Sequence, residues 1–357
     1  MTRGQRLAAS WRTQRERWLL AGAALALATG FLQPTVPWQR ELFEQVVVLD
    51  ITQSMNVLDQ RLDGKPVSRL AYAKFALRQS LLALPCGSKL GWAVFTEYRS
   101  YLLFAPVEVC AHLDELRATL DAIDNRMAWV GGSEVAKGLH SGLSIAKQLP
   151  GVPALVFVTD GHESPPLSPR HRPAFDDRPG EVQGLVVGVG AALPSPIPKT
   201  DPQGRPLGFW AADEVQQSDP RGQGRSGSVN GERLVDDAAA VSVPALGATP
   251  GSEHLSALHE PYLRLLAGEL GLGFHRLDTA EALAAAMTAP ALARRVQVQA
   301  DGRVALALLA LALLLLRHRR GPDQRSRLAL AFGRLRLRLF GHLHIGINRR
   351  QQGRDRS

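Results

Sequence analysis

Val46-Val47-Val48-Leu49-Asp50-Ile51-Thr52-Gln53-Ser54-Met55 opens on four apolar residues and stops at a carboxylate, with hydroxyls at every second position after it. An apolar run of this length, closed by polar residues, predicts a strand buried on both faces. Asp50, Thr52 and Ser54 then put three hard oxygen donors in one short loop. Such donors suit Mg²⁺, Ca²⁺ or Mn²⁺ rather than zinc or copper. Taken alone, the pentapeptide also reads as a plain strand end with a capping Asp and polar turn residues.

Two stretches further along bear on that choice. Ala154-Leu155-Val156-Phe157-Val158-Thr159-Asp160-Gly161 is a second apolar strand ending at an Asp. Between the two, Val130-Gly131-Gly132-Ser133-Glu134-Val135-Ala136-Lys137-Gly138 sets a hydroxyl in a glycine turn just before a helical pattern. In a parallel α/β sheet, ligands bind beyond the carboxyl ends of the strands. Two strand ends and one helix start can converge there. The set Asp50, Thr52, Ser54, Ser133 and Asp160 resembles the metal-ion-dependent adhesion site of von Willebrand factor A domains. Thr52 and Ser133 stand where that family pattern has Ser and Thr, and both keep the hydroxyl. The resemblance implies a divalent cation (Mg²⁺, Ca²⁺ or Mn²⁺) with an open coordination position. A Glu or Asp from another protein would complete its shell.

The chain has 357 residues and a formal net charge of +9, unevenly spread. Residues 1–33 carry +4 and residues 304–357 carry +10, which leaves −5 for the middle. A mildly acidic domain between basic ends argues against a nucleic-acid surface and for membrane topology. Five arginines from Arg3 to Arg17 precede the apolar run Trp18 to Leu32, which reads as an export signal or a signal anchor. Val304 to Leu316 is apolar throughout and is followed by Arg317, His318, Arg319 and Arg320. Thirteen residues rise only about 20 Å as a helix, so flanking Arg303 and Arg317 must snorkel if it spans. A buried helix is the other reading. The positive flanks put both termini in the cytoplasm and the acidic middle outside, in the periplasm of a bacterial inner membrane. The expected domains are a basic N-terminus and transmembrane helix (1–33), the main domain (42–290), a second transmembrane helix (304–320) and a basic cytoplasmic tail (321–357).

The strand–helix alternation predicts an α/β fold, a doubly wound and mostly parallel sheet. Lys89 to Phe95 and Ser100 to Ala105 read as an antiparallel hairpin at one edge, turning at Thr96-Glu97-Tyr98-Arg99. The midpoint of Cys86 and Cys110 is residue 98, inside that turn. The two cysteines would then face each other at the open end of the hairpin, which predicts a disulfide in an oxidising compartment. Ser68 caps a predicted helix through Leu84, which Pro85 ends. Further helices are predicted over His112–Ile123, Ser133–Leu149, Leu255–Leu270 and Glu281–Thr288, with strands at Leu185–Val189 and Gly273–Leu277. Two long loops, His162 to Gly180 and an insert over 192–252, are rich in Pro and Gly. The first leaves the strand that carries Asp160, so it borders the candidate site.

Weaker signals fall aside. Gly188-Val189-Gly190 lacks the third glycine of a dinucleotide turn and reads as structural. His162 and Glu163 suit a hydrolytic base pair, but no nucleophile stands at a recognisable spacing, and no enzyme is expected. Arg334 to Phe340 alternates Arg and Leu, as a segment lying on an anionic inner leaflet or meeting a cytoplasmic partner would.

The resemblance also extends to a narrower family. Asp50 to Val57, Leu84-Pro85-Cys86-Gly87-Ser88, Phe95 to Pro106, Ser133 to Leu139 and Thr159-Asp160-Gly161-His162-Glu163 are similar to the von Willebrand A accessory proteins of methanol dehydrogenase clusters, the MxaL type. That implies a protein-binding role in the maturation and calcium loading of a periplasmic quinoprotein (PQQ-dependent) alcohol dehydrogenase. Its partners would be the dehydrogenase or sister assembly proteins. Pro194-Ser195-Pro196-Ile197-Pro198-Lys199 resembles aerotolerance-type membrane proteins that accompany MoxR ATPases. That implies the alternative of an envelope stress scaffold, with a cytoplasmic MoxR-type AAA+ ATPase as a partner.

Overall fold

Valines 46 to 48 and Leu49 are fully buried because their strand lies in mid-sheet, with a helical layer on each face. The computed structural model describes residues 3–129, 132–167, 171–201, 203–215, 233–236 and 252–318. The chain divides into two compact units, Arg40–Val296 and Met1–Gln39 with Gln297–Ser357.

The described sheet has seven strands: β1 (Thr35–Asp50), β2 (Lys89–Thr96), β3 (Arg99–Glu108), β4 (Ala154–Thr159), β5 (Gly184–Gly188), β6 (Gly273–Arg276) and β7 (Ala293–Asp301). Their order is β6-β5-β4-β1-β2-β3, with β7 also paired to β1. The pairs β1–β2, β1–β4, β4–β5 and β5–β6 are parallel, and β2–β3 is antiparallel. This is the doubly wound order, and its switch point falls between β1 and β4. Asp50 ends β1 and Asp160 follows β4. The topology therefore opens its ligand crevice between the two aspartates singled out by the sequence.

Alternation along the strands builds two cores. Val47, Leu49, Trp92, Val94, Val156 and Val158 pack with α2 (Arg69–Ala83), α3 (Leu113–Ala122) and α6 (Ala280–Met287). Val46, Val48, Phe95, Leu155 and Phe157 pack with α4 (Val135–Gln148) and α5 (Glu260–Leu270). Each such side chain stabilises the fold by about 1.5–3 kcal/mol. Gly138 lets α4 lie flat on the sheet, since a Cβ there would stand 2.1 Å from a ring carbon of Phe95. Cys86 and Cys110 form a disulfide, with Cα atoms 5.3 Å apart, across the open end of the β2–β3 hairpin.

The expected helix over Leu255–Leu270 divides. Leu255–Ser256 pairs with Ser195–Pro196 as short strands, and α5 starts only at Glu260, with Pro261 in its first turn. Pro fits that position because its missing N–H has no intrahelical acceptor there. Strand β7 is an addition to the expected order. Within the 192–252 insert, Pro198–Thr200 and Pro206–Phe209 form a hairpin, and Arg233–Asp236 pairs with His171–Ala174 of the other long loop.

The second unit holds α1 (Arg3–Gly30) and α7 (Arg303–His318). Ala23, Ala26 and Ala310 are buried between them, with Leu313 and Leu314 packed alongside. Among the described residues no helix is long and apolar enough to cross a membrane, so the two spans expected at 1–33 and 304–320 are not confirmed. The apolar run of α1 is the shorter half of a helix that begins with five arginines. At 16 residues, α7 rises about 24 Å, short of a bilayer core of about 30 Å. The tail over 321–357, with Arg334 to Phe340, lies outside the described residues.

Candidate functional site

Asp50, Thr52, Ser54 and Asp160 meet beyond the ends of β1 and β4, each at most 3% exposed. Thr52 donates both its N–H (2.9 Å) and its Oγ1–H (2.6 Å) to Asp50 Oδ1. The other oxygen, Oδ2, accepts from Thr159 Oγ1 at 2.6 Å. Ser54 Oγ lies 3.4 Å from Thr52 Oγ1. Asp160 Oδ1 accepts the His162 N–H at 2.9 Å. Gly161 makes the intervening turn at φ +79°, a conformation that favours glycine.

Three residues complete this corner that the sequence reading did not assign to it. Thr159 fixes the Asp50 carboxylate from the neighbouring strand. Arg69 is fully buried and donates from Nη1 to Asp160 Oδ2 (2.5 Å) and Ser256 Oγ (2.6 Å), and from Nε (2.9 Å) and Nη2 (2.7 Å) to Asp59 Oδ2. Ser256 Oγ donates to Asp160 Oδ2 at 3.1 Å. Arg69 is the first residue of α2, next to its N-cap Ser68. A cation there opposes the helix dipole, so Asp59 and Asp160 must offset it. That local misfit was the readable signal.

The two aspartates end up electrostatically unlike. Burial, reinforced by the charge of Asp160, pushes the Asp50 carboxyl up to about 7. Burial acts to raise Asp160, but the Arg69 guanidinium, together with the hydrogen bonds the carboxylate accepts, outweighs it and holds Asp160 below the usual carboxylate range. Burial pushes His162 down to about 4.

Ser133, the fifth predicted donor, is 1% exposed and held at the same end of the sheet by backbone bonds. It exchanges N–H···O bonds with Ser164, at 2.6 and 2.7 Å, and the next residue, Glu134, donates its N–H to Glu97 O at 2.5 Å. Its Oγ has no hydrogen-bond partner among the described residues, so it does not join the knot formed by the other four. Glu163 is not placed as a hydrolytic base. Its carboxylate accepts the N–H groups of Val135 (3.0 Å) and Ala136 (3.1 Å), the first turn of α4, and the Tyr262 hydroxyl at 2.6 Å. Burial still raises it to about 8. His162 Nε2 is buried and without a partner among the described residues.

Among the described residues no three His, Cys, Asp or Glu side chains gather as a ligand cluster. The donors that do gather are two carboxylates and the hydroxyls of Thr52 and Ser54, with Ser133 nearby in the fold. Thr52 spends its proton on Asp50 and keeps its lone pairs for an electrophile. A buried hydroxyl without a partner and an all-oxygen set fit a hard divalent cation.

No family model and no curated protein sequence matches the chain. Solved structures that match part of the chain include an aerotolerance-related membrane protein from Bacteroides fragilis. That match has 18% identity and a TM-score of 0.42, over 69% of this chain and 96% of that one. An uncharacterized membrane-spanning protein from Vibrio fischeri matches at 16% identity and a TM-score of 0.26, over 69% and 94%. The PilB minor pilin from Streptococcus sanguinis matches at 14% identity and a TM-score of 0.37, over 71% and 61%. At these scores the likeness says nothing about function.

Proposed function

We propose that this protein is a cation-dependent docking module of the bacterial envelope. Asp50, Thr52, Ser54, Ser133 and Asp160 would hold one Mg²⁺, Ca²⁺ or Mn²⁺, and an acidic side chain of a partner protein would complete the shell. The observation that carries the reading is the meeting of Asp50 and Asp160 at the switch point of the sheet, both buried, with hydroxyls between them. When bound, the cation supplies an electrophile for a carboxylate ligand. The chain's own part is to hold oxygens in place through Thr159, Arg69 and the Ser133–Ser164 bridge. In this reading the apolar runs of α1 and α7 associate with the inner membrane and tether the domain on its periplasmic side.

The client we propose is a periplasmic quinoprotein alcohol dehydrogenase under maturation and calcium loading, on the sequence resemblance of Asp50 to Val57 and the stretches that follow it. A deletion strain should make the dehydrogenase but leave it inactive or short of calcium. Full alcohol oxidation in that strain rules the client out. One observation favours a second reading, in which this protein is a MoxR-associated aerotolerance or envelope-stress scaffold. The stretch carrying that resemblance lies in the wall of the site: Ser195–Pro196 pairs with Leu255–Ser256, Ile197 is buried, and Ser256 bonds Asp160. Loss of oxygen or envelope-stress tolerance in the deletion strain, with alcohol oxidation intact, selects it.

A further inference from the structure

Arg69 is the one fully buried arginine among the described residues, and it sits against two carboxylates rather than one. With a cation bound and its carboxylate ligands ionised, Asp59, Asp160 and Asp50 bring three negative charges to this corner, and Arg69 returns one. The formal balance is −2. Two histidines face the same corner, His162 and His259, with ring centroids 5.9 Å apart. Counted as neutral imidazoles, they leave that balance unchanged. Glu163 is turned away onto the start of α4. We infer that the Arg69–Asp59 pair sets the charge of the cation site, so that a divalent ion neutralises it, and Arg69 is thereby the residue that determines ion-charge selectivity. This rests on the docking reading above, which names the site but not what selects the ion.

The pair separates charge from most of the shape: only Gln60 Nε2, which donates to Asp59 Oδ1 at 3.2 Å, must turn its amide to suit an asparagine. Arg69 Nε, Arg69 Nη2 and the Ala191 N–H all bond one oxygen of Asp59, Oδ2. The carbonyl oxygen of an asparagine can take that place, so Asp59→Asn removes the charge and keeps those bonds. Full-length protein in detergent is titrated with Mn²⁺ and with Tb³⁺, with thermal melts of each metal-free variant. Asp59→Asn should bind Mn²⁺ at least about tenfold more weakly, since a full charge within several ångströms of a divalent ion is worth that much even when well screened. Asp59→Asn/Arg69→Gln restores the balance of −2 and should return Mn²⁺ affinity to within about threefold of the unaltered protein. Arg69→Gln alone, at −3, should shift preference toward Tb³⁺. If that variant does not fold, the other two still decide. Mn²⁺ affinity unchanged in Asp59→Asn, or a double variant no better than Asp59→Asn, overturns the inference and leaves the docking site standing. No Mn²⁺ uptake by the unaltered protein overturns both.

Discussion

The corner around Arg69 and the corner around Ser133 lie at the same end of one sheet, yet they are finished differently. At the first, the buried guanidinium is fully partnered: Asp59 and Asp160 share it, and Ser256 closes the remaining gap. At the second, the backbone is tied on both sides while the side chain it presents has no partner among the described residues. Buried polar groups are nearly always satisfied, and an exception calls for an explanation such as a missing ion. The contrast separates two jobs. On the proposed reading, the Arg69 corner holds the fold and sets the local charge, and the Ser133 corner keeps an oxygen available.

That division can be broken by mutation, starting where the effect should be greatest. Arg69→Leu strands two buried carboxylates and should cost about 3–5 kcal/mol, enough to abolish a cooperative melt in many domains. A melt within about 1 kcal/mol of the unaltered protein would put the structural load elsewhere. Glu163, which ties the two corners through α4, gives a pH signature. Its folded value is raised to about 8 from the ordinary carboxylate range. Its contribution is therefore complete below about pH 4.5 and lost as pH rises through about 8. Metal-free stability should fall by a few kcal/mol over about pH 5 to 9, and Glu163→Gln should flatten the slope. An unchanged slope in that variant shows that another group sets it. Gly138→Val drives a side chain into Phe95 and should cost about 1–3 kcal/mol in denaturant titrations. A silent Gly138→Val would mean that α4 does not lie against the sheet as described. Ser133→Ala should change stability least, by about 0.5 kcal/mol or less, because no bond is lost with the hydroxyl. Mn²⁺ affinity should nevertheless fall by about tenfold. A loss of stability with no loss of affinity would invert the roles of the two corners.

Much of this was legible in the residues because the informative signals were local. An apolar run that stops at Asp50, another that stops at Asp160, and cysteines placed symmetrically about residue 98 each declare themselves within a few positions. The strand order follows, since short connections and right-handed crossovers leave few alternatives. Arg69 was harder to place because its partners, Asp59, Asp160 and Ser256, lie 10, 91 and 187 residues away. Only its position against the helix dipole marks it as unusual. The stretch from Leu255 to Leu270 reads as one helix by periodicity alone, but pairing with Ser195–Pro196 draws off its first turn. Strand β7 carries the alternation Val296-Gln297-Val298-Gln299. That is a strand signal, overshadowed by the apolar run that follows. Glu163 looked available for chemistry because its neighbours in sequence are polar, while the N–H groups that claim it start a helix 27 and 28 residues earlier.

The most direct test is a calorimetric titration of the purified full-length protein with Mn²⁺, beside Asp50→Asn, which keeps the shape of the side chain and removes its charge. One ion per chain, bound at least about a hundredfold more weakly by the variant, is the predicted result. No uptake by the unaltered protein, or equal uptake by the two, contradicts it.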